Sequence, residues 1–162
     1  MSIKEGETPV ETPKIKNHSV TLYKDKLYVF GGYDSRRNHN SLITFNVYSE
    51  SWSVIKNSTI AGNVPPGRNG HTATLAGHKI FIIGGWLGSG PLAADDAWVL
   101  DVQREDKLAW YKVENEGCPP GPCNMHSADY VPCCGSVYVF RGGNGREYLH
   151  DLHALDVETL VW

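Results

Sequence analysis

The chain has 162 residues, 41% of them hydrophobic and 20% charged, a balance that supports one domain with a packed core. A formal net charge of −3 gives no overall attraction for nucleic acid or anionic lipid, and no apolar run reaches the ~18 residues of a membrane helix. The polar start, MSIKEGETPVETPK, lacks the apolar centre of a secretory signal, so a cytoplasmic setting, with the nucleus as a variant of it, and reduced thiols are expected.

In chain order, residues 1–16 carry Pro9 and Pro13 and match nothing later, so they read as a flexible leader. From residue 17 onward three segments, about 17–66, 67–121 and 122–162, repeat one order of features. Each opens on a histidine, His18, His71 or His126, that begins a short β-rich run. A tight connection follows, at Lys24-Asp25-Lys26, Gly77-His78 or Cys134-Gly135, of the kind that joins hairpin strands. The second runs, LYVF, IFII and VYVF, are apolar at every position, so those strands need cover on both faces. They end at Gly31-Gly32, at Gly84-Gly85, and at Arg141-Gly142-Gly143, where an arginine takes the first glycine's place. Each third run closes on Asn46, Asp101 or Asp156, and each unit then reaches a tryptophan, Trp52, Trp110 or Trp162.

A period of about 50 residues with four strand-like pieces per unit, a double glycine after the second strand and a later tryptophan resembles the Kelch repeat. The resemblance covers residues 17–162. It implies an all-β fold: a Kelch-type β-propeller of about three four-stranded antiparallel blades, a partial ring whose last blade is incomplete because the sequence stops at Trp162. Gly31, Gly32, Gly84, Gly85 and Gly142 are then structural, with the glycines shaping turns. Trp52, Trp110 and Trp162 pack between blades. An open arc exposes two sheet faces. That fits a piece of a longer ring, or a chain that self-associates to close one.

The resemblance also implies a protein-interaction module, a scaffold or adaptor that binds a protein through the loops of one propeller face. Those loops carry Tyr33, Arg36, Arg37, Trp86, Asn144 and Arg146, with Arg68 just before the second unit's first strand. Aromatic and arginine side chains on scaffolded loops are the usual interface anchors. The arginines suit an acidic or phosphorylated peptide. The alternatives are a non-catalytic part of a larger phosphatase-, kinase- or oxidase-linked enzyme, or a propeller that binds a small ligand or metal.

No catalytic motif, cofactor or enzyme activity is expected. Nucleophile elbow, phosphate loop, HExxH and paired-acid patterns are missing from the sequence. Asp95 with Asp96 and Glu147 with Asp151 fit loop acids. The three repeated histidines could converge on a metal, but a repeat position serves packing and hydrogen bonding more simply. Cys118, Cys123, Cys133 and Cys134 would make a poor zinc site, because neighbouring Cys133 and Cys134 on a strand point to opposite faces.

Overall fold

The computed structural model describes residues 12–88, 92, 97–114 and 116–162; residues 1–11 of the leader, with Asp95 and Asp96, lie outside them. The strands are β1 (Ser19–Tyr23), β2 (Lys26–Phe30), β3 (Leu42–Asn46), β4 (Ser51–Ile55), β5 (Thr72–Ala76), β6 (Lys79–Ile83), β7 (Ala97–Asp101), β8 (Ala109–Lys112), β9 (Ser127–Val131), β10 (Ser136–Phe140) and β11 (Leu152–Asp156). They form three antiparallel sheets in sequence order, β1-β2-β3-β4, β5-β6-β7-β8 and β9-β10-β11. Each repeat is one sheet, and among the described residues the third has three strands.

Alternation along the strand explains the all-apolar second runs. On β6, Ile80 and Ile82 join Tyr28, Phe30, Leu42, Trp98, Leu100 and Trp110 in one core. Their neighbours Phe81 and Ile83 point the other way, into a second core with Val99, Val137, Val139 and Leu155. The middle sheet is thus sandwiched, and each core is the seam between two sheets. The Phe30 and Trp110 rings meet across the first seam with centroids 5.1 Å apart.

The first strands β1, β5 and β9 approach one another across the seams, as the inner strands of a propeller do. Thr21 Oγ1 donates to the Ala73 carbonyl at 3.3 Å, and Thr74 Oγ1 to the Ala128 carbonyl at 3.1 Å. Just before these strands, Met125 N donates to Gly70 O at 2.8 Å and Gly70 N to Asn17 O at 2.9 Å. Asn17, Gly70 and Met125 all have positive φ, so one backbone bend recurs beside the axis in every blade.

The repeated Asn or Asp at the end of each third strand has a local cause. Asn46 Oδ1 accepts from the amides of Tyr48 and Ser49, and Asp156 Oδ1 from those of Glu158 and Thr159. Asp101 Oδ1 takes the Gln103 amide. Each side chain shapes the turn out of its own strand.

Among the described residues, two faces of the arc have no neighbouring sheet. On blade 1, Val20, Leu22 and Val54 are about half exposed, and on blade 3 so are Phe140 and Leu152. The end of the sequence-assigned leader is not apart from the sheet. Lys16 exchanges two backbone hydrogen bonds with Tyr33, at 3.0 and 2.9 Å. Thr12 to Ile15 lie along the open face of blade 1, where with Val20, Leu27, Val29, Ile43 and Trp52 they line a cavity of about 330 Å³.

Candidate functional site

The loops after β2, β6 and β10, together with the segments that enter each blade, share one end of the sheets. Their placement starts at the double glycines. Gly84 has φ +62, and a Cβ added there would lie 2.5 Å from the Cys123 carbonyl oxygen and 2.8 Å from the His126 ring. Gly31 stands in the same relation to Arg68 and His71. A side chain at either position meets both an unfavourable backbone and the next blade.

The glycines make room for the repeated histidines. The His71 ring lies under Gly31, and its Nε2 shares a 2.8 Å hydrogen bond with Ser19 Oγ. His126 repeats this with Thr72 Oγ1 at 3.0 Å. Burial, helped by the Arg68 guanidinium, pushes the His71 pKa down to about 3, and burial pushes that of His126 down to about 4. Both rings are neutral parts of the seams. The second glycine amides complete the lock, Gly32 N donating to Arg68 O and Gly85 N to Cys123 O, each at 2.8 Å.

Arg68, expected on the binding rim, is fully buried. Its guanidinium donates to the carbonyls of Gly84 at 3.0 Å and Pro66 at 3.3 Å. It therefore ties the glycine turns of blades 1 and 2 together. In sequence it resembled the loop arginines because its burial depends on the neighbouring blade.

The other rim residues reach the surface. Tyr33, Arg36, Arg37, Asn38, Pro66, Gly67, Trp86, Leu87 and Gly88 line a groove of about 630 Å³. A second groove of about 580 Å³ is bounded by Trp86, Leu92, Pro122, Arg141, Asn144, Gly145 and Arg146. Trp86, 39% exposed, is the wall common to both.

Hydrogen bonds fix these loops. Asp34 Oδ1 accepts from the amides of Arg36 and Arg37, each at 2.8 Å. Asn144 Oδ1 accepts from those of Arg146 and Glu147, each at 2.9 Å. The two turns are equivalent, so Arg36 and Arg146 occupy one repeat position. The amides of Arg37 and Arg36, with the His39 ring 2.8 Å from Oδ2, hold the Asp34 carboxyl well below the usual range. Among the described residues Arg36, Arg37 and Arg146 form no ion pair.

The sequence places Asn69 and Asn124 in the segments on this face but did not show that asparagines join the loops. Asn69 Nδ2 donates to Asn38 Oδ1 at 2.8 Å, and Asn38 Nδ2 to the Trp86 carbonyl at 2.7 Å. The recurrence of asparagine at Asn69 and Asn124, two residues before His71 and His126, was the available signal. Blade 3 departs from the pattern. Gly143 bridges Asn124 as Tyr33 bridges Lys16 and Trp86 bridges Asn69, so the third loop has no aromatic in that slot. Arg141 keeps an ordinary φ and pairs with Asp151 at 3.0 Å. Trp110 is 2% exposed, whereas Trp162 is partly buried in the second seam and Trp52 packs at a tilt against Phe45, with centroids 4.8 Å apart, on the open face of blade 1.

Comparison with known proteins agrees with this architecture. The model of the KLHDC2/KLHL20/DRC7 Kelch-repeats domain matches residues 3–162. The flagellar outer-arm dynein alpha chain of Chlamydomonas reinhardtii is 30% identical over 93% of this chain, which spans 3% of that protein. Acyl-CoA-binding domain-containing protein 4 of Arabidopsis thaliana is 28% identical over 98% of this chain and 23% of its own length. Kelch domain-containing protein 3 of Bos taurus is 28% identical over 97% of this chain and 42% of its own length. The chain thus spans less than half of each of these relatives. Its three-sheet architecture and the family match together place it in the KLHDC2/KLHL20/DRC7 Kelch-repeat family, whose domains are generally non-catalytic modules for protein–protein interaction.

Proposed function

We propose that the loop face of this propeller docks an acidic or phosphorylated segment of a protein partner, and that the chain acts as a scaffold or adaptor in a cytoplasmic or nuclear setting. One observation carries the reading. Arg36 and Arg146 sit on equivalent Asx turns, each beside a groove walled by Trp86. Both are exposed, while the turns hold their backbones by hydrogen bonds. Their cost of ordering on binding is therefore lower than on a mobile loop. A guanidinium that meets a carboxylate or phosphate makes charge-assisted, often bidentate contacts. An extended peptide that crosses Trp86 would present charge to both grooves and side-chain area to the indole.

The test is a peptide array that holds acidic, phosphorylated and uncharged sequences of equal length. Acidic and phosphorylated members are expected to be retained, with affinity that falls as salt rises. The double variant Arg36→Glu, Arg146→Glu should weaken them by roughly tenfold to a hundredfold, the scale of one to two charged hydrogen bonds. Equal retention of uncharged peptides, or unchanged binding by the double variant, would refute the reading.

A further inference from the structure

The hairpin between β9 and β10 differs from its two counterparts. Lys24-Asp25 joins β1 to β2 and Gly77-His78 joins β5 to β6, but Pro132-Cys133-Cys134-Gly135 joins β9 to β10. Both cysteines therefore lie in this longer connection, Cys134 where the repeat pattern put it and Cys133 off the strand. Pro132–Cys134 forms a 3₁₀ turn, closed by Gly135 in the left-handed region at φ 63, with Gly135 N donating to Pro132 O at 3.2 Å. Ser136 Oγ donates to the Cys134 carbonyl at 3.1 Å. In this turn the side chains do not diverge. The Cys133 and Cys134 sulfurs are 3.8 Å apart, and both residues are exposed.

The separation discriminates between the chemistries open to two thiols. A disulfide normally joins Cα atoms about 4.4 Å or more apart, and adjacent residues across a trans peptide are only about 3.8 Å apart, so closing this pair would strain the turn. A tetrahedral ion with metal–sulfur bonds of about 2.3 Å holds two of its sulfurs about 3.8 Å apart. The turn already sets its thiols at that bite. Thiolate pairs prefer soft, filled-shell cations over magnesium or calcium.

We propose that Cys133 and Cys134 form a surface two-thiolate site for a soft divalent cation of the zinc and cadmium class. Buried Cys123 lies under the Gly84 turn of the neighbouring blade and takes no part. Cys118, beside Trp162, belongs to the segment that enters blade 3. With two protein ligands the ion keeps its other positions for water or for a donor from another molecule. The site is thus exchangeable, unlike a closed four-ligand structural centre.

The test uses the full reduced chain, freed of metal with a chelator, and Cd²⁺ as the probe. Cadmium–thiolate charge transfer in the ultraviolet reports binding, and Zn²⁺ serves as competitor. The expected result is saturation at one Cd²⁺ per chain, reversed by Zn²⁺, with Cys133→Ser and Cys134→Ser each weakening affinity at least tenfold. Cys118→Ser should leave the titration unchanged. Thermal melts should be alike for all three variants, because each substitution is at an exposed thiol. A wild-type chain without a saturable band, or a band that persists in both Cys133→Ser and Cys134→Ser, would overturn the proposal.

Discussion

At the residue scale, the seams depend on small groups that leave space and on rings that occupy it. Gly84→Ala forces a Cβ to 2.5 Å from the Cys123 carbonyl in a left-handed backbone. Strain and overpacking each cost about 1–3 kcal/mol, so a loss of roughly 2–6 kcal/mol in urea denaturation is expected. An unchanged midpoint would contradict the close approach. The histidines add a pH dependence with a definite sign. His71 and His126 have folded pKa values of about 3 and 4, below their ordinary 6.5. The unfolded chain therefore binds protons that the folded one refuses. Their contribution is complete above about pH 6.5 and is lost as pH falls toward 4 and then 3. The aspartates held below 3.8, Asp34, Asp151 and Asp156 among them, act mainly below pH 4. His71→Gln keeps a hydrogen-bonding side chain beside Ser19 but cannot titrate. It should lower stability at pH 7.5 and flatten the decline between pH 6.5 and 4. A decline as steep as the wild type would show that His71 is not the titrating group.

At the element scale, the seam between sheets is the stabilising unit. Trp110 is buried against Phe30 in the first seam. Its truncation to alanine is expected to cost about 3–5 kcal/mol. Trp52 holds the same repeat position but faces the open side of blade 1, so Trp52→Ala should cost distinctly less. Equal losses in parallel urea titrations would mean that the tryptophans act within their own sheets rather than between them. Much of this level was legible in the sequence, because apolar runs, double glycines and tryptophans recur in one order. What could not be read was register and proximity. Arg68 looked like a loop arginine until the neighbouring blade enclosed it. Cys133 looked like a strand residue beside the Cys134-Gly135 connection, but the 3₁₀ turn takes in both cysteines and sets their sulfurs side by side. Lys16, at the end of the leader, could be read as leader or as part of a short strand, and its backbone pairs with Tyr33.

At the scale of the whole molecule, the sheets place two kinds of connection at opposite ends. The loops at Tyr33–His39, Trp86–Gly88 and Gly143–Tyr148 share one end with the asparagine network and both grooves. The tight turns at Lys24-Asp25, Gly77-His78 and Cys133-Cys134 lie at the other. The arginine-bearing loops thus form one surface, on which the proposed partner would dock, while the paired thiols remain accessible from the opposite end. Backbone hydrogen exchange, with and without a bound acidic or phosphorylated peptide, compares the two ends directly. Slower exchange at residues 34–39, 86–88 and 144–148, with little change at residues 24–25, 77–78 and 133–135, is the predicted result. Protection confined to the tight turns would contradict the account.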